Sequence, residues 1–340
     1  MSFGRKSQRT WSVSARSAGK VPAKVLAALR KARSLLVVTH ARPDGDALGS
    51  MAALTLSARA AGKTAEMLMP DGVPMRYAFL FAAETPAGVE RFAELAGRAE
   101  LVVIVDTSVL SQLDGLDKHL PAVADKLLII DHHATPGQLG GLLWSDPSAA
   151  ACGVMLAELI EALGWPMDQA TAEAMLTAIV SDTGWFQFAN TDARCLRRAA
   201  AILESGVAAT GLYDRLFRND RPQRLKLTAR MLASLELHGD GQLAVMTIRK
   251  ADFAAAGAKA EETENLINEA LRIGSVEAAV LLTEVDGMTR VSLRSRRRID
   301  VSAVAQRFGG GGHQRAAGFR STEPLDAVKP RIVQAVIEEL

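Results

Sequence analysis

Short apolar runs alternate with alanine-rich segments of helical periodicity over the first 220 residues of the chain. Continuous apolar runs occupy residues 35–39, 101–105 and 127–130, and each run ends in polar residues. Helical spacing of apolar positions covers residues 47–61, 89–97, 150–163, 168–180, 192–204 and 212–217. Such runs are typical of parallel strands that are buried on both faces and connected by helices. The pattern therefore predicts an α/β domain with a parallel sheet over residues 21–220.

The rest of the chain predicts a second, smaller α/β domain. Residues 222–238 show helical spacing throughout, so we expect a helical linker over residues 221–239. Strand patterns follow at residues 242–248, 277–283 and 289–295, and helical patterns at 261–272, 301–308 and 325–339. We therefore expect this second domain to extend over residues 240–340.

The composition is that of a globular protein and does not by itself indicate a binding partner. The 340 residues exceed one typical domain, and 49% hydrophobic with 23% charged residues is ordinary for a globular protein. A net charge of +2 and only 5% aromatic residues disfavour a broad nucleic-acid-binding surface. No apolar run reaches the roughly 18–20 residues needed to span a bilayer, so we expect no membrane partner.

Cysteine usage and the N-terminus suggest a cytoplasmic protein. Cys152 and Cys195 lack any zinc-type or redox-type spacing, which favours a reducing, cytoplasmic setting. Residues 1–20 are basic and serine-rich but lack the apolar core of a secretory signal. We interpret them as a disordered basic tail, with a transit peptide as the alternative.

Acidic and histidine side chains follow each predicted strand of the first domain. Carboxyl ends of parallel strands meet at one edge of a sheet, so groups distant in sequence converge there. A further acid follows the apolar helix at residues 168–180. The candidates, in chain order, are His40, Asp44, Asp46, Asp106, Asp131, His132, His133 and Asp182.

Each of these acids alone has an ordinary structural explanation as a helix N-cap or an Asp-Gly turn residue. The whole set is harder to explain that way, because carboxylates crowded into one crevice would repel one another without cations. Carboxylates with imidazoles and no thiolate suit Mn²⁺, and Mg²⁺ or iron less well. So many ligands suit two ions bridged by a carboxylate, an arrangement that stabilises displacement at phosphorus. The site therefore predicts phosphoester hydrolysis.

Five ordered motifs resemble one known family. The segments VVTHARPDGDALGS, VIVDTS, IIDHHATP and SDTGWF are similar to motifs I to IV of the DHH phosphoesterase superfamily. The later segment FGGGGHQRAAGF is similar to the glycine-rich motif of the DHHA1 domain. The resemblance covers nearly the whole chain from Val21. The compact two-domain chain is similar in length to the NrnA-type branch of the family. Members of that branch are oligoribonucleases (nanoRNases) that also dephosphorylate 3′-phosphoadenosine 5′-phosphate (pAp).

The resemblance implies a role for each candidate in the first domain. One Mn²⁺ would be held by His40, Asp44 and Asp106. The second would be held by Asp46, Asp106, His132 and Asp182, with Asp106 bridging. The implied catalytic set is His133, which contacts or protonates the scissile phosphate, Asp131, which orients the metal cluster without binding an ion, and the bridging Asp106.

A second candidate site follows the predicted helix at residues 301–308. A helix C-terminus with a flexible loop explains four glycines, although such a loop can also form an anion-binding nest. The resemblance implies that this loop and its histidine hold substrate across an interdomain cleft from the metals. The implied substrate-binding residues are Arg294, Ser295, Gly309, Gly310, Gly311, Gly312 and His313. The neighbouring Arg296, Arg297 and Arg298 are interpreted as a solvated strand edge.

The resemblance implies a manganese-dependent phosphodiesterase that hydrolyses short oligoribonucleotides to 5′-mononucleotides. Two metal ions would activate the attacking water, and Mg²⁺ would be a weaker substitute for Mn²⁺. A further expected substrate is pAp. A phosphodiesterase for dinucleotide messengers such as c-di-AMP is the alternative. A pyrophosphatase of the same superfamily and a non-catalytic nucleotide-binding regulator are less favoured. A homodimer is a further expectation.

Overall fold

The structure is a computed structural model that describes residues 21–134, 137 and 139–340. The predicted basic tail at residues 1–20 lies outside the described residues. The chain divides into two compact units, with the division between Leu216 and Phe217. None of the helices in the described part of the chain combines the length and apolar character that crossing a bilayer requires.

The first unit is built on a five-stranded, all-parallel sheet with strand order β2-β1-β3-β4-β5. The strands are β1 (Ser34–Val38), β2 (Thr64–Leu68), β3 (Leu101–Val105), β4 (Leu127–Asp131) and β5 (Leu142–Ser145). The helices are α1 (Ala23–Lys31), α2 (Gly45–Ala60), α3 (Phe92–Arg98), α4 (Cys152–Leu163), α5 (Gln169–Asp182), α6 (Ala193–Glu204) and α7 (Ala209–Phe217).

Both faces of this sheet are buried, which explains its continuous apolar strands. Val37 and Val103 face a core formed with α2, α4 and α5, whereas Leu36 and Val102 face a smaller core that includes Phe92 of α3. The parallel α/β fold expected from the sequence is confirmed. The edge strands β2 and β5 were not predicted, because both are only partly buried and so lack a continuous apolar run. The segment predicted as a helix at 89–97 begins with a 3₁₀ turn, Val89–Arg91, before α3.

The second unit carries a six-stranded mixed sheet with strand order β10-β11-β9-β8-β7-β6. Its strands are β6 (Glu236–His238), β7 (Leu243–Ile248), β8 (Ala278–Val285), β9 (Met288–Ser295), β10 (Gly311–His313) and β11 (Ala316–Ser321). Its helices are α8 (Pro222–Ala233), α9 (Lys250–Ala256), α10 (Val301–Gln306) and α11 (Leu325–Ile337). Side chains of α10 and α11 pack on one face of the sheet, and those of α8 pack on the other.

Two predicted helices of this unit are wrong in extent or type. The helix expected over 222–238 ends at Ala233, where the hydroxyl of Ser234 bonds the backbone of Thr247, and residues 236–238 form β6 instead. The segment 261–272 forms two 3₁₀ turns instead of one α-helix. The left-handed backbone of Asn265, with φ of 60°, separates these turns.

The helix expected to link the domains packs inside the second unit. Leu227 and Met231 of α8 are fully buried against Ala244 and Met246 of β7. Arg224 of the same helix donates hydrogen bonds to the carbonyl oxygens of Glu262 and Glu264. Helix α8 is therefore a structural part of that unit's core.

Candidate functional site

The N-terminus of α2 carries two of the predicted acids in different environments. Asp44 is the N-cap, and its Oδ1 accepts hydrogen bonds from the amides of Asp46 (3.0 Å) and Ala47 (3.1 Å). Asp46 is fully buried and accepts hydrogen bonds from the Ser50 hydroxyl and from the amides of Cys152 and Gly153. The cap explanation is thus correct for Asp44, whereas Asp46 is oriented by the first residues of α4.

Asp106 follows β3 and lies at the centre of the acidic cluster. Its backbone is left-handed, with φ of 64°, and its side chain is 2% exposed. Its Oδ2 lies 3.6 Å from His40 Nε2, and its Oδ1 lies 3.4 Å from His132 Nε2. Among the described residues, Asp106 Oδ1 is buried without a hydrogen-bond partner. A buried carboxylate oxygen in that state is rare, and a cation would satisfy it.

His132 faces three carboxylates through one ring nitrogen. Its Nδ1 lies 3.1 Å from the carbonyl oxygen of Ala149, which places the proton on Nδ1 because a carbonyl can only accept. Its Nε2 lies 3.6 Å from Asp46, 3.4 Å from Asp106 and 3.3 Å from Asp182 at the end of α5. This is the tautomer that a ligating histidine adopts when its second nitrogen is held by a carbonyl.

Asp131 and His133 form a hydrogen-bonded pair beside this cluster. His133 Nδ1 lies 2.6 Å from Asp131 Oδ1, and the His133 amide donates to the same oxygen at 3.1 Å. The other carboxylate oxygen accepts a 2.6 Å hydrogen bond from the hydroxyl of Ser108. Asp131 is fully buried, so its orientation is determined by these donors.

Without a bound cation, the surrounding acids favour the charged form of His40 and His132. Burial lowers the pKa of His40, but its contact with Asp106 and the charge of Asp44 outweigh this and raise the pKa to about 9. Burial also lowers the pKa of His132. Its contact with Asp106 and the charge of Asp182 outweigh this effect and raise the pKa well above its usual value. Metal binding to these nitrogens must therefore displace protons.

The acids respond to the same crowding in opposite ways. Burial raises the pKa of Asp182, His132 lowers it, and the charges of Asp44 and Asp106 contribute to a value of about 7. Burial and the charges of Asp106 and Asp182 raise the pKa of Asp46 well above its usual range. Burial would raise the pKa of Asp106 too, but contacts with His132 and His40 hold it far below normal.

The structure brings all eight first-unit candidates into one cluster of possible ligand atoms. Three groups have ligand atoms within 4.8 Å of one another: His40 with Asp44 and Asp106; Asp46 with His132 and Asp182; and Asp106 with Asp131 and His133. The donors are carboxylate oxygens and imidazole nitrogens, a combination that suits a divalent cation. Together with the unpartnered oxygen of Asp106, these residues fit a metal site.

Comparisons with known proteins agree with this geometry. The model of the DHH family N-terminal domain matches residues 34–179, and the DHHA1 domain model matches residues 240–340. The bifunctional oligoribonuclease and PAP phosphatase NrnA of Thermus thermophilus is 34% identical over 308 residues, covering 90% of each chain. The chain belongs to the DHH phosphoesterase family.

Two further proteins are similar to this chain over most of its length. The cyclic-di-AMP phosphodiesterase PdeA of Listeria monocytogenes is 25% identical over 82% of this chain, but the match covers only 43% of that protein. The crystal structure of an exopolyphosphatase-related protein from Bacteroides fragilis superposes with a TM-score of 0.86 at 23% identity, covering 94% of this chain and 97% of that one. The chain therefore shares the fold of the Bacteroides protein. The DHH and DHHA1 domains and the similarity to the Thermus NrnA protein show that the chain is a phosphoester hydrolase of the DHH family.

The glycine loop of the DHHA1 domain is partly helix end and partly hairpin. The amides of Gly309 and Gly310 donate to carbonyl oxygens in α10, at 3.0 and 2.9 Å. Gly311, Gly312 and His313 form β10, which pairs with β11. A Cβ on Gly310 or Gly312 would lie 2.2 or 2.5 Å from a β11 carbonyl oxygen. Close strand packing therefore accounts for part of the glycine run.

Arg294 and Ser295 of the DHHA1 domain lie on opposite faces of β9. Arg294 is partly exposed, and its Nη1 donates to the carbonyl oxygen of Leu293 at 3.1 Å. Ser295 is 6% exposed, and its hydroxyl donates to the carbonyl oxygen of Ile299 at 2.7 Å. Ser295 is the last residue of β9, and this bond holds the bend that follows the strand. Arg296, expected at a solvated edge, donates to the carbonyl oxygens of Gly274 and Leu271.

Sequence reasoning missed the groups that orient the DHH acids. The amides of Cys152 and Gly153 and the carbonyl of Ala149 are backbone groups, which no residue pattern marks. Ser108, in contrast, is part of the recognised segment VIVDTS and was not singled out. Its position two residues after Asp106 was the available signal.

Proposed function

We propose that the chain is a manganese-dependent phosphodiesterase that hydrolyses short oligoribonucleotides, including dinucleotides such as pGpG and pApA, to 5′-mononucleotides, and that it also converts pAp to AMP. The name of the Thermus relative, which matches along nine-tenths of both chains, supports these substrates. The observation that carries the proposal is the shared carboxylate of Asp106, whose neighbours include both His40 and His132.

The proposed cofactor is a pair of Mn²⁺ ions. His40, Asp44 and Asp106 would hold one ion, and Asp46, Asp106, His132 and Asp182 would hold the other. When bound, such a pair lowers the pKa of water and neutralises charge on the reacting phosphate. Imidazole nitrogens in both sets favour Mn²⁺ over Mg²⁺, which would substitute weakly.

His133 is the proposed proton donor to the substrate. The hydrogen bond from its Nδ1 to Asp131 fixes the ring orientation. Burial lowers the pKa of His133, but the bond to Asp131 and the charge of Asp106 outweigh this and raise it. A protonated ring held in this way can donate through Nε2 to a phosphate oxygen or a leaving oxygen. Asp131 is the positioning residue in this scheme.

The DHHA1 domain would bind the part of the substrate that does not react. Arg294 is the proposed phosphate ligand, because a guanidinium suits bidentate phosphate contacts. The predicted contacts from Gly309, Gly310, Gly311, Gly312 and His313 complete the proposed site. Ser295 stays in the proposed set, and its hydroxyl also donates to the carbonyl oxygen of Ile299.

A phosphodiesterase acting on c-di-AMP is the second candidate, because the Listeria relative bears that name. We rank it lower because the match covers less than half of that protein. A non-catalytic regulator is disfavoured by the presence of every predicted ligand in one cluster. The cytoplasmic location and the homodimer remain predictions.

A single panel of substrates tests the proposal. The chelated protein would be reloaded with Mn²⁺ and given pAp, pGpG, c-di-AMP, pyrophosphate and RNAs of 5 and 24 nucleotides. We expect pGpG and the 5-nucleotide RNA to be hydrolysed fastest, the 24-nucleotide RNA slowly, and Mg²⁺ to restore less activity than Mn²⁺. Fastest turnover of c-di-AMP or pyrophosphate would replace the proposed substrate class, and full recovery with Mg²⁺ would remove the preference for manganese.

A further inference from the structure

Three polar side chains form a row across the sheet of the second unit. Thr283 of β8 lies directly opposite Arg290 of β9, and Arg290 lies directly opposite Arg320 of β11. Directly opposed residues project from the same face of a sheet, so the three side chains are neighbours. Arg294 is four residues from Arg290 along β9 and therefore projects from this face as well.

The row contains buried polar atoms that the described residues leave unsatisfied. Thr283 is 1% exposed, and its Oγ1 has no hydrogen-bond partner among those residues. The same is true of the buried Nε of Arg290, although its Nη2 donates to the hydroxyl of Thr263. Since buried polar atoms nearly always have partners, these two indicate a group that the chain itself does not supply.

The charge of the row is positive, and the chain compensates it only partly. Like charges directly opposite each other in a sheet are destabilising, yet Arg290 and Arg320 are paired in this way. Burial and the charge of Arg320 lower the pKa of Arg290, and Asp286 provides an opposing effect. A bound anion would relieve the repulsion and accept from both guanidinium groups.

The surface between this row and Arg294 is free of large side chains on β9 and β11. The intervening opposed pair is Ser292 and Gly318. Gly318 must stay small, because a Cβ there would lie 2.6 Å from the carbonyl oxygen of Val291. Ser292, Arg294 and Gly318 are each partly exposed, so a ligand held at Arg294 can extend along the strand toward Arg290.

We propose that Arg290 and Arg320, with Thr283, form a second phosphate subsite that binds a phosphate of an oligonucleotide longer than a dinucleotide. This assignment rests on the proposed function of the chain. Four residues of β-strand span about 13 Å. Neighbouring phosphates of one strand are roughly 3.4 Å apart along a duplex axis and farther apart in an extended strand. A span of about 13 Å therefore corresponds to a few nucleotides, and the subsite should first matter for substrates of three to five nucleotides.

Arg320→Gln tests the subsite, because Arg320 is exposed and outside the core. We expect kcat/KM for a pentanucleotide to fall about 10-fold through a higher KM, with pGpG unchanged and Arg320→Lys restoring part of the loss. Binding of the pentanucleotide would be measured by fluorescence anisotropy at several salt concentrations in the Asp106→Asn background. The slope of log K against log salt concentration should become shallower by about 0.7 when Arg320 is replaced by Gln. Lys329→Gln is the matched control, since Lys329 pairs with Glu236 at the other edge of the sheet.

The outcomes separate the subsite from the proposed function. If the unsubstituted enzyme hydrolyses both substrates and Arg320→Gln changes neither, the subsite is wrong and the function stands. If the unsubstituted enzyme hydrolyses and binds no oligonucleotide, the proposed function and the subsite both fail. Binding of free phosphate at the row would leave the ratio of pentanucleotide to dinucleotide kcat/KM unaffected by Arg320→Gln, and would overturn the assignment to substrate.

Discussion

The carboxylate of Asp46 accepts a 2.6 Å hydrogen bond from the backbone amide of Cys152, which lies 106 residues further along the chain. The amide of Gly153 donates to the same carboxylate at 2.9 Å. The N-terminus of α4, whose amides favour negative charge, therefore opposes the burial and the neighbouring carboxylates that raise the pKa of Asp46. The predicted metal site thus depends on a helix that contributes no ligand to it.

Asp106→Asn should abolish activity and reduce metal content. Asn keeps the side-chain volume and tolerates the left-handed backbone at this position, so the fold should survive. Replacing a carboxylate oxygen by an amide removes the proposed bridge, and we expect at least about 10³-fold lower kcat. Metal content measured by elemental analysis should fall with it. Asp117→Asn is the control, because Asp117 is exposed and lies outside the acidic cluster. Retention of a tenth of the activity by Asp106→Asn would contradict the assignment.

The metal-free protein should lose stability, and gain affinity for Mn²⁺, as the pH rises from 6.5 to 8.5. His40 has a raised pKa of about 9, so its contribution to stability is complete below about 6.5 and is lost as pH rises toward 9. Asp182 titrates at about 7 instead of near 4, so its contribution is lost as pH rises through 7. Both must lose protons to bind metal.

Thermal unfolding with chelator and calorimetric titration with Mn²⁺ measure the two effects. We expect Tm without metal to fall across this range, and the affinity for Mn²⁺ to rise about 10- to 100-fold. Proton release, detected from the heat in buffers of different ionisation enthalpy, should decrease as the pH rises. An affinity independent of pH would show that these side chains are not ligands.

Ser108→Ala should slow catalysis without removing metal. The Ser108 hydroxyl donates to Asp131 and accepts from the amide of Gly137, so its loss leaves the second carboxylate oxygen of Asp131 buried without this donor and weakens its orientation. We expect kcat to fall about 10-fold, because second-sphere partners of this kind typically contribute 10- to 100-fold. The pH profile of kcat should shift, since the pKa of His133 depends on Asp131.

Two comparisons distinguish this positioning role from a folding defect. Ser108→Thr keeps the hydroxyl and should recover most of the activity, and the exposed Ser111→Ala should have no effect. An unchanged pH profile in Ser108→Ala would mean that Ser108 does not act through His133.

Arg294→Ala and His313→Ala should bind Mn²⁺ normally and lose activity on dinucleotides. Losing one charge-assisted phosphate contact removes about 1.5–3 kcal/mol, roughly 10- to 150-fold in kcat/KM. Bis-p-nitrophenyl phosphate has no nucleotide end to bind, so its slower hydrolysis should change much less. Equal losses on both substrates, at full metal occupancy, would assign these residues to the chemical step or to the fold.

The strand ends that carry the acids could be predicted because β1, β3 and β4 are buried on both faces and read as unbroken apolar runs. The same rule failed for β2, whose first residue is exposed and whose partner lies on one side only. Ligand residue types are visible in a sequence, whereas the amides that orient Asp46 come from a segment with no polar side chain to mark it. Ser295 illustrates the same limit, because its motif position does not reveal that its hydroxyl donates to the carbonyl oxygen of Ile299; its role as a substrate ligand stays a prediction.

Gly49→Ala should destabilise the first unit and weaken metal binding together. A Cβ on this buried glycine of α2 would lie 2.5 Å from the carbonyl oxygen of Ala174 and 2.7 Å from the amide nitrogen of Ala178. Both atoms belong to the backbone of α5, so the two helices must separate. Asp46 lies in the first turn of α2 and Asp182 ends α5, and their separation determines how well both can approach one ion.

The expected loss for Gly49→Ala is about 1–3 kcal/mol of unfolding free energy, the usual cost of overpacking, with a lower affinity for Mn²⁺. Gly97→Ala is the matched control, because Gly97 is an exposed residue of α3 with nothing within 4 Å of the added Cβ. That substitution should stabilise by up to about 1 kcal/mol and leave metal binding unchanged. Denaturant unfolding and calorimetric titration measure both. If Gly49→Ala lowers stability but leaves the affinity for Mn²⁺ intact, the contact between α2 and α5 does not set the distance between Asp46 and Asp182 that binding requires.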